Sequence, residues 1–319
     1  MDFLRSMPKI ELHAHLSGSV PIGFLNDLIS DAVKAEVDYT YDYFPKVHSV
    51  LSSRGPLEKA IQKVFSDFRD DGVVYLELRS SPRVGLDYSK EDYIRLLVQI
   101  IQKEAQDFSP MMVKFLISID RPKGLKEAHE NIELFLKTSL EFPQIIVGLD
   151  VGGDPTKGDI KSLLSLIKAK KQTRDFKVTI HCGEEPNSSE IKDIINFKPD
   201  RIGHGINVSP SDAKDIPWEV CLTSNIKTGG FQSYEDHVLK SLYENNIPFS
   251  ICTDDSGFFD TILSTEYSHM KRSVIPQITN KDIFCIAQKS IDYIFSDDLV
   301  KNQLKQLFSD WENKNEKYF

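Results

Sequence analysis

The chain has 319 residues, 40% hydrophobic and 27% charged, proportions of an ordinary globular protein that exclude intrinsic disorder. No apolar run reaches the roughly 18 residues of a membrane-spanning helix, so no membrane partner is expected. A formal net charge of −9 excludes a general nucleic-acid binder, because such binding rests on Lys and Arg neutralising phosphates, but it leaves room for a small anion held locally.

The N-terminal MDFLRSMPKI has no secretory pattern and leads straight into the first predicted strand, and the four cysteines form no CxxC pair. A reduced, cytoplasmic protein is expected. Eight β-rich runs follow in chain order: KIELHAHL, VVYLELRSS, MVKFLISID, IIVGLDVGG, VTIHCGE, RIGHG, EVCLTSN and PFSICTDD. Between them lie amphipathic segments such as PLEKAIQKVFSDFRDDG, SKEDYIRLLVQIIQKEAQDF, LKEAHENIELFLKTSLEF and DIKSLLSLIKAKKQ, with Ser89 and Asp159 placed as helix caps. Eight consecutive βα units predict an α/β protein of the (β/α)8 TIM-barrel type, and no GxGxxG suggests a dinucleotide site. NKDIFCIAQKSIDYIF and LVKNQLKQLFSDWENKN predict extra C-terminal helices packed on the barrel. Residues 1–319 are expected to form a single domain and to act as a monomer.

In such barrels the reacting groups sit at the C-terminal ends of the strands. Here those ends carry His13 and His15, then His181 and Glu184, then His204, and finally Asp254 and Asp255. Side chains two apart on a strand share a face, so His13 and His15 can reach one ion. With His181 and Asp254 they make a set of three histidines and one aspartate that suits a single Zn2+ with one position open to water. His129, His237 and His269 fall in predicted helical segments and are read as surface or packing residues. His48 falls in a loop-like stretch where it either lines the site or is solvated.

At HAHL, HCGEE, GHG and CTDD together, the sequence resembles the adenosine and AMP deaminase superfamily of metal-dependent amidohydrolases, from about residue 8 to residue 256. The wording PKIELHAHLSGS, YLELRSSPR, HCGEEPN, EVCLTSN and ICTDDSG is most similar to the adenosine deaminase-like branch, whose members deaminate N6-methyl-AMP. The resemblance implies zinc held by His13, His15, His181 and Asp254. It implies Glu184 as proton donor to the purine ring, His204 as the group that stabilises and orients the attacking oxygen, and Asp255 with the Gly153 backbone as partners of the ring nitrogens. It also implies nucleotide contacts at His15 and at the segment Arg79, Ser80, Ser81 and Pro82, with His48 and Asp120 as further candidates. IIVGLDVGGD lacks the lysine with which binuclear relatives bridge two metals, so one metal per chain is expected. The separate cytidine-type zinc deaminases use a CxxC signature that is absent here.

Nucleoside-specific members of the superfamily carry an Asp two residues beyond the second histidine, where it meets the ribose 5′-hydroxyl. Here that position is Ser17. An Asp would repel a 5′-phosphate by about 1 to 4 kcal/mol at 4 Å, depending on the effective dielectric; serine removes the repulsion and donates a hydrogen bond. The expected substrate is therefore a purine nucleoside monophosphate, which the resemblance to the adenosine deaminase-like branch makes N6-methyl-AMP, giving IMP and methylamine. The alternatives are adenosine deaminase proper and an inactive barrel kept as a nucleotide-binding or signalling protein. A phosphate needs positive partners, and RSSPR after the second strand supplies Arg79 and Arg83 with Ser80 and Ser81 near the rim; between that role and a surface charge, Arg83, like Lys227, is read as a surface charge.

Overall fold

A computed structural model of the protein describes residues 2–29, 43–107 and 111–319. After a short helix, Asp2–Ser6, eight strands run in chain order: β1 (Lys9–His15), β2 (Val73–Ser80), β3 (Met112–Asp120), β4 (Ile146–Gly152), β5 (Lys177–Cys182), β6 (Arg201–His204), β7 (Trp218–Val220) and β8 (Phe249–Ile251). Every neighbouring pair is parallel and the spatial order follows the chain order. The sheet curls until β1 and the segment after β8 meet at a bridge between Ala14 and Asp254. At that seam the His15 amide donates to the Asp254 carbonyl (3.1 Å) and the Asp254 amide to the His13 carbonyl (2.8 Å). This is the expected barrel.

Crossover helices cover the outside, including Arg54–Asp70, Lys90–Asp107, Gly124–Glu141 and Ile160–Lys171. The second was expected to run to Phe108, which lies outside the described residues. Asp159 caps its helix by accepting from the Ser162 amide (3.1 Å), and Ser89 forms a reciprocal cap with Asp92, because each supplies an acceptor to an amide that the first helical turn leaves unpaired. The C-terminal helices Asn280–Lys289 and Asp298–Lys314 follow, and the first packs on β1 and β8. No helix among the described residues is long and apolar enough to cross a membrane.

EVCLTSN was expected as a strand throughout. Only its first two residues are; Leu222–Lys227 is a helix that turns back over the barrel mouth.

The two-residue period of the strands decides what fills the barrel. In β1, Ile10, Leu12 and Ala14 alternate with Lys9, Glu11, His13 and His15, and the first set packs outward. The inward set is polar, and β2 matches it with Glu77 and Arg79, β4 with Asp150, β6 with Arg201 and β7 with Glu219, all fully buried. The barrel axis is thus an ionic column with the histidines at its upper end.

Candidate active site

His13 lies at 0% exposure inside β1, His15 ends the strand, His181 lies near the end of β5 and His204 ends β6. Asp254 follows β8 by three residues. His204 and Asp254 both adopt left-handed backbone, with φ of 63° and 64°. Such conformations cost a non-glycine residue on the order of 1 to 3 kcal/mol and persist where the surroundings enforce them. Here the turn carries each side chain over the barrel axis.

The donor atoms converge. His13 Nε2 and His15 Nε2 each lie 3.4 Å from Asp254 Oδ1, and His15 Nε2 lies 3.1 Å from His181 Nε2. One donor atom from each of His13, His181, His204 and Asp254 also lies within 4.8 Å of the others. His13 Nε2 is buried and has no hydrogen-bond partner. A buried nitrogen lone pair aimed at other lone pairs and at a carboxylate is unfavourable unless a cation sits among them, so the cluster fits a metal ion. Space for the rings comes from neighbouring strands: a Cβ on Gly203 would lie 2.8 Å from His13 Cε1, and one on Gly152 would lie 2.8 Å from His181 Cε1.

The far side of each ring is held by groups that sequence reasoning did not single out. His13 Nδ1 meets Glu219 Oε2 at 2.6 Å, and His181 Nδ1 meets the Val151 carbonyl at 2.8 Å and Asp150 Oδ1 at 3.3 Å. Ser224 Oγ donates to Asp254 Oδ2 (2.7 Å), and Glu11 accepts from the His13 amide (2.8 Å). Such partners fix the tautomer and orientation of a ligating imidazole. Burial alone would raise the Asp150 and Glu219 carboxyls, but Arg79 overrides it and holds both below the usual carboxylate range, with Arg201 adding to the effect on Glu219.

Arg79 was expected to touch the nucleotide, and the structure corrects this. It is the inward residue of β2, at 0% exposure, donating to Asp150 Oδ1 (3.0 Å), to Glu219 Oε2 (2.9 Å) and to the Leu12 carbonyl. Its guanidinium lies under the histidines and is spent on buried acceptors. The next residues rise toward the mouth: Ser80 is buried with its hydroxyl 2.7 Å from Tyr93 Oη, Ser81 is half-buried and Pro82 is buried.

Arg83 was read as a surface charge and is not one. Its Nη2 donates to Ser17 Oγ (3.0 Å), its Nη1 is buried without a partner, and its guanidinium carbon lies 5.8 Å from the Tyr93 ring centroid. Ser17 is itself buried at 6% exposure. His48 lies on the exposed side of the helix Tyr43–Val50, within electrostatic range of Arg83 and Lys123. Lys227 is exposed, as expected, and donates to the Phe259 carbonyl.

Glu184 Oε2 lies 3.9 Å from His204 Nε2. Burial raises the Glu184 carboxyl above its ordinary range against the pull of His181, and burial pushes the His204 imidazole well below its own. Asp255 has one buried carboxylate oxygen without a partner, and burial, reinforced by Asp254, raises it strongly. Across the mouth, Gly153 has φ of 92°, and a Cβ there would lie 2.3 Å from Asp120 Oδ1, so the chain passes bare at that point. Asp120 is half-buried and raised by burial. Of the other histidines, His129 is exposed and His269 stacks on Tyr234 at 4.2 Å. His237 is buried, outside any helix, and bonded to Asn225.

The model of the adenosine deaminase family matches residues 25–311. The adenosine deaminase-like protein of Drosophila pseudoobscura is 32% identical over 326 residues, covering 95% of each chain. Human N6-methyl-AMP deaminase is 33% identical, covering 96% of this chain and 93% of its own. The solved structure of Arabidopsis ADAL complexed with IMP superposes with a TM-score of 0.89 at 32% identity, covering 98% of this chain and 99% of that one. Built on the same eight-stranded barrel with its histidine and aspartate cluster, the chain belongs to the adenosine deaminase family, in its N6-methyl-AMP deaminase branch.

Proposed function

We propose that the chain is a zinc-dependent aminohydrolase that converts N6-methyl-AMP and water to IMP and methylamine. The observation that carries the reaction class is the convergence of imidazole nitrogens on Asp254, one of them buried and unpartnered, beside Glu184 and His204. His13, His15, His181 and Asp254 would hold the zinc, whose chemistry there is to make water nucleophilic near neutral pH.

The protein's own groups divide the remaining work. Purine C6 is a poor electrophile until the ring gains a proton, so a general acid is required. Glu184, whose carboxyl burial raises, is the group placed to supply that proton to the ring nitrogen beside C6. Asp255, its carboxyl raised by burial, has an otherwise unpartnered oxygen to hydrogen-bond a second ring nitrogen, and the Gly153 backbone lies open to the ring edge. Neutral His204 orients the attacking oxygen. As its oxygen becomes the C6 carbonyl of IMP, the water gives up two protons: one leaves with the amine and the other restores the Glu184 carboxyl.

Arg83 and Ser17 support the monophosphate over the nucleoside. The guanidinium already donates to Ser17 and keeps a second buried nitrogen unpartnered, and arginine suits bidentate contact with phosphate oxygens. An aspartate at residue 17 would neutralise Arg83 and repel the phosphate. Ser17→Asp is therefore expected to lower kcat/KM for the monophosphate between about 5-fold and several hundred-fold, the span of the repulsion above, and to spare adenosine. Steady-state rates with adenosine, AMP and N6-methyl-AMP, alongside zinc content on the same sample, test the assignment. Faster turnover of adenosine by the unaltered protein would overturn the monophosphate preference and leave the metal site standing.

A further inference from the structure

The segment Leu222 to Asn225, which opens the helix after β7 instead of continuing the strand, places three consecutive side chains on four buried polar groups. Thr223 is anchored to Glu266 through both its amide (2.9 Å) and its hydroxyl (2.5 Å), and Ser224 donates to Asp254. Asn225, at 1% exposure, lies between two imidazoles. Its Nδ2 is 3.0 Å from His204 Nδ1, and its Oδ1 is 3.1 Å from His237 Nε2.

The direction of this chain of hydrogen bonds is set by a group with no freedom. The Leu239 amide, 3.0 Å from His237 Nδ1, can only donate, so His237 Nδ1 carries no proton. The His237 ring is neutral, its pKa pushed down to about 3 by burial, and its proton therefore sits on Nε2. That proton needs an acceptor, which makes the facing atom of Asn225 its oxygen and turns the amide nitrogen toward His204. An NH2 group can only donate, so His204 Nδ1 accepts. With one proton on a neutral ring, His204 carries it on Nε2, the nitrogen on the side of Glu184. Reversing any one link would press two hydrogens, or two lone pairs, together in a buried place.

We propose that Asn225 and His237 are positioning residues that lock His204 as an Nε2–H donor. A nitrogen holding that proton cannot coordinate a metal. Of the donors that converge on the centre, His204 is thereby kept out of the ligand set, which falls to His13, His15, His181 and Asp254. Its N–H is left to orient the attacking oxygen. His237 does this without touching substrate: it is held at 2% exposure against Phe231, with ring centroids 4.5 Å apart. The inference rests on the aminohydrolase reading for what the locked proton does, but not for where the proton is.

The test is 15N NMR of the zinc-loaded protein labelled at histidine nitrogens, with His204 and His237 assigned by substitution. The expected result is a proton-free Nδ1 and a protonated Nε2 on both rings; a protonated Nδ1 on His204 overturns the proposal whatever the enzyme's activity. Asn225→Leu removes the donor and is expected to lower kcat about 100-fold, the scale for losing one preorganised hydrogen bond, with KM changed less than about 3-fold and zinc stoichiometry kept. His237→Gln still offers an N–H to Asn225 and is expected to stay within about 5-fold of the unaltered kcat, on the scale of a partly retained hydrogen bond. Unaltered turnover in Asn225→Leu, or equal losses of zinc and activity in both variants, contradicts the positioning role. Should Asn225→Leu fail to fold, the NMR result on the unaltered protein decides. If that protein deaminates no purine, the aminohydrolase reading fails while the tautomer result still judges the hydrogen-bond chain.

Discussion

Glu184→Gln is expected to lower kcat by about 10²- to 10⁴-fold, the range for removing a general acid, while zinc stoichiometry stays at that of the unaltered protein. The side chain faces His204 across 3.9 Å and is not among the atoms that converge on Asp254, so metal retention and proton donation separate in this one variant. Glutamine keeps the shape and the hydrogen bonds but cannot release a proton to the ring. Metal analysis and single-turnover rates on the same preparation check the split. Turnover near that of the unaltered protein would remove Glu184 from the chemistry, and a coupled loss of zinc would make it part of the metal centre.

Arg79→Met should be the most destabilising single change in the barrel interior. Arg79 pairs with Asp150 and Glu219, all three at 0% exposure. Taking one partner from a buried pair leaves an uncompensated charge and costs on the order of 3 to 5 kcal/mol. Glu219 keeps Arg201 at 2.6 Å, so its share of the loss is smaller, whereas Asp150 is left with the half-satisfied contact to His181. Urea unfolding of the zinc-loaded protein reads the loss. Because Glu219 and Asp150 steady the rings of His13 and His181, chelator competition is expected to show zinc held about 10- to 100-fold less tightly. A variant as stable as the parent and equally resistant to chelator would mean that Arg79 merely fills space.

The barrel was legible because each strand is a short β-rich run set off by an amphipathic helix, and the proposed metal donors because they recur at three strand ends. Periodicity failed at Leu222–Lys227, where the end of EVCLTSN, expected as strand, is wound into a helix tied by contacts to Glu266 and Asp254 from later in the chain. Arg79 was assigned to the nucleotide by resemblance, whereas counting in twos along VVYLELRSS from Tyr75 and Glu77 puts its side chain on the inner face of β2. The same count flags Asp150 and Glu219 as charged residues inside otherwise apolar strands. Arg83 and Asn225 could not be found in this way. Their partners Ser17 and His204 are brought to them by the pairing of β1 with β2 and of β6 with β7, and His237 by the loop that follows the Leu222–Lys227 helix; no local spacing encodes that.

The seam between β1 and the segment after β8 has a consequence for the order in which the protein can be made. His13 and His15 leave the ribosome well ahead of Asp254, which ties the seam through its amide and carbonyl. Until that late segment emerges the early histidines face an open sheet edge and an incomplete donor set. Nascent chains stalled short of residue 254 should therefore hold the metal weakly, and loading of the centre waits until the segment after β8 has emerged.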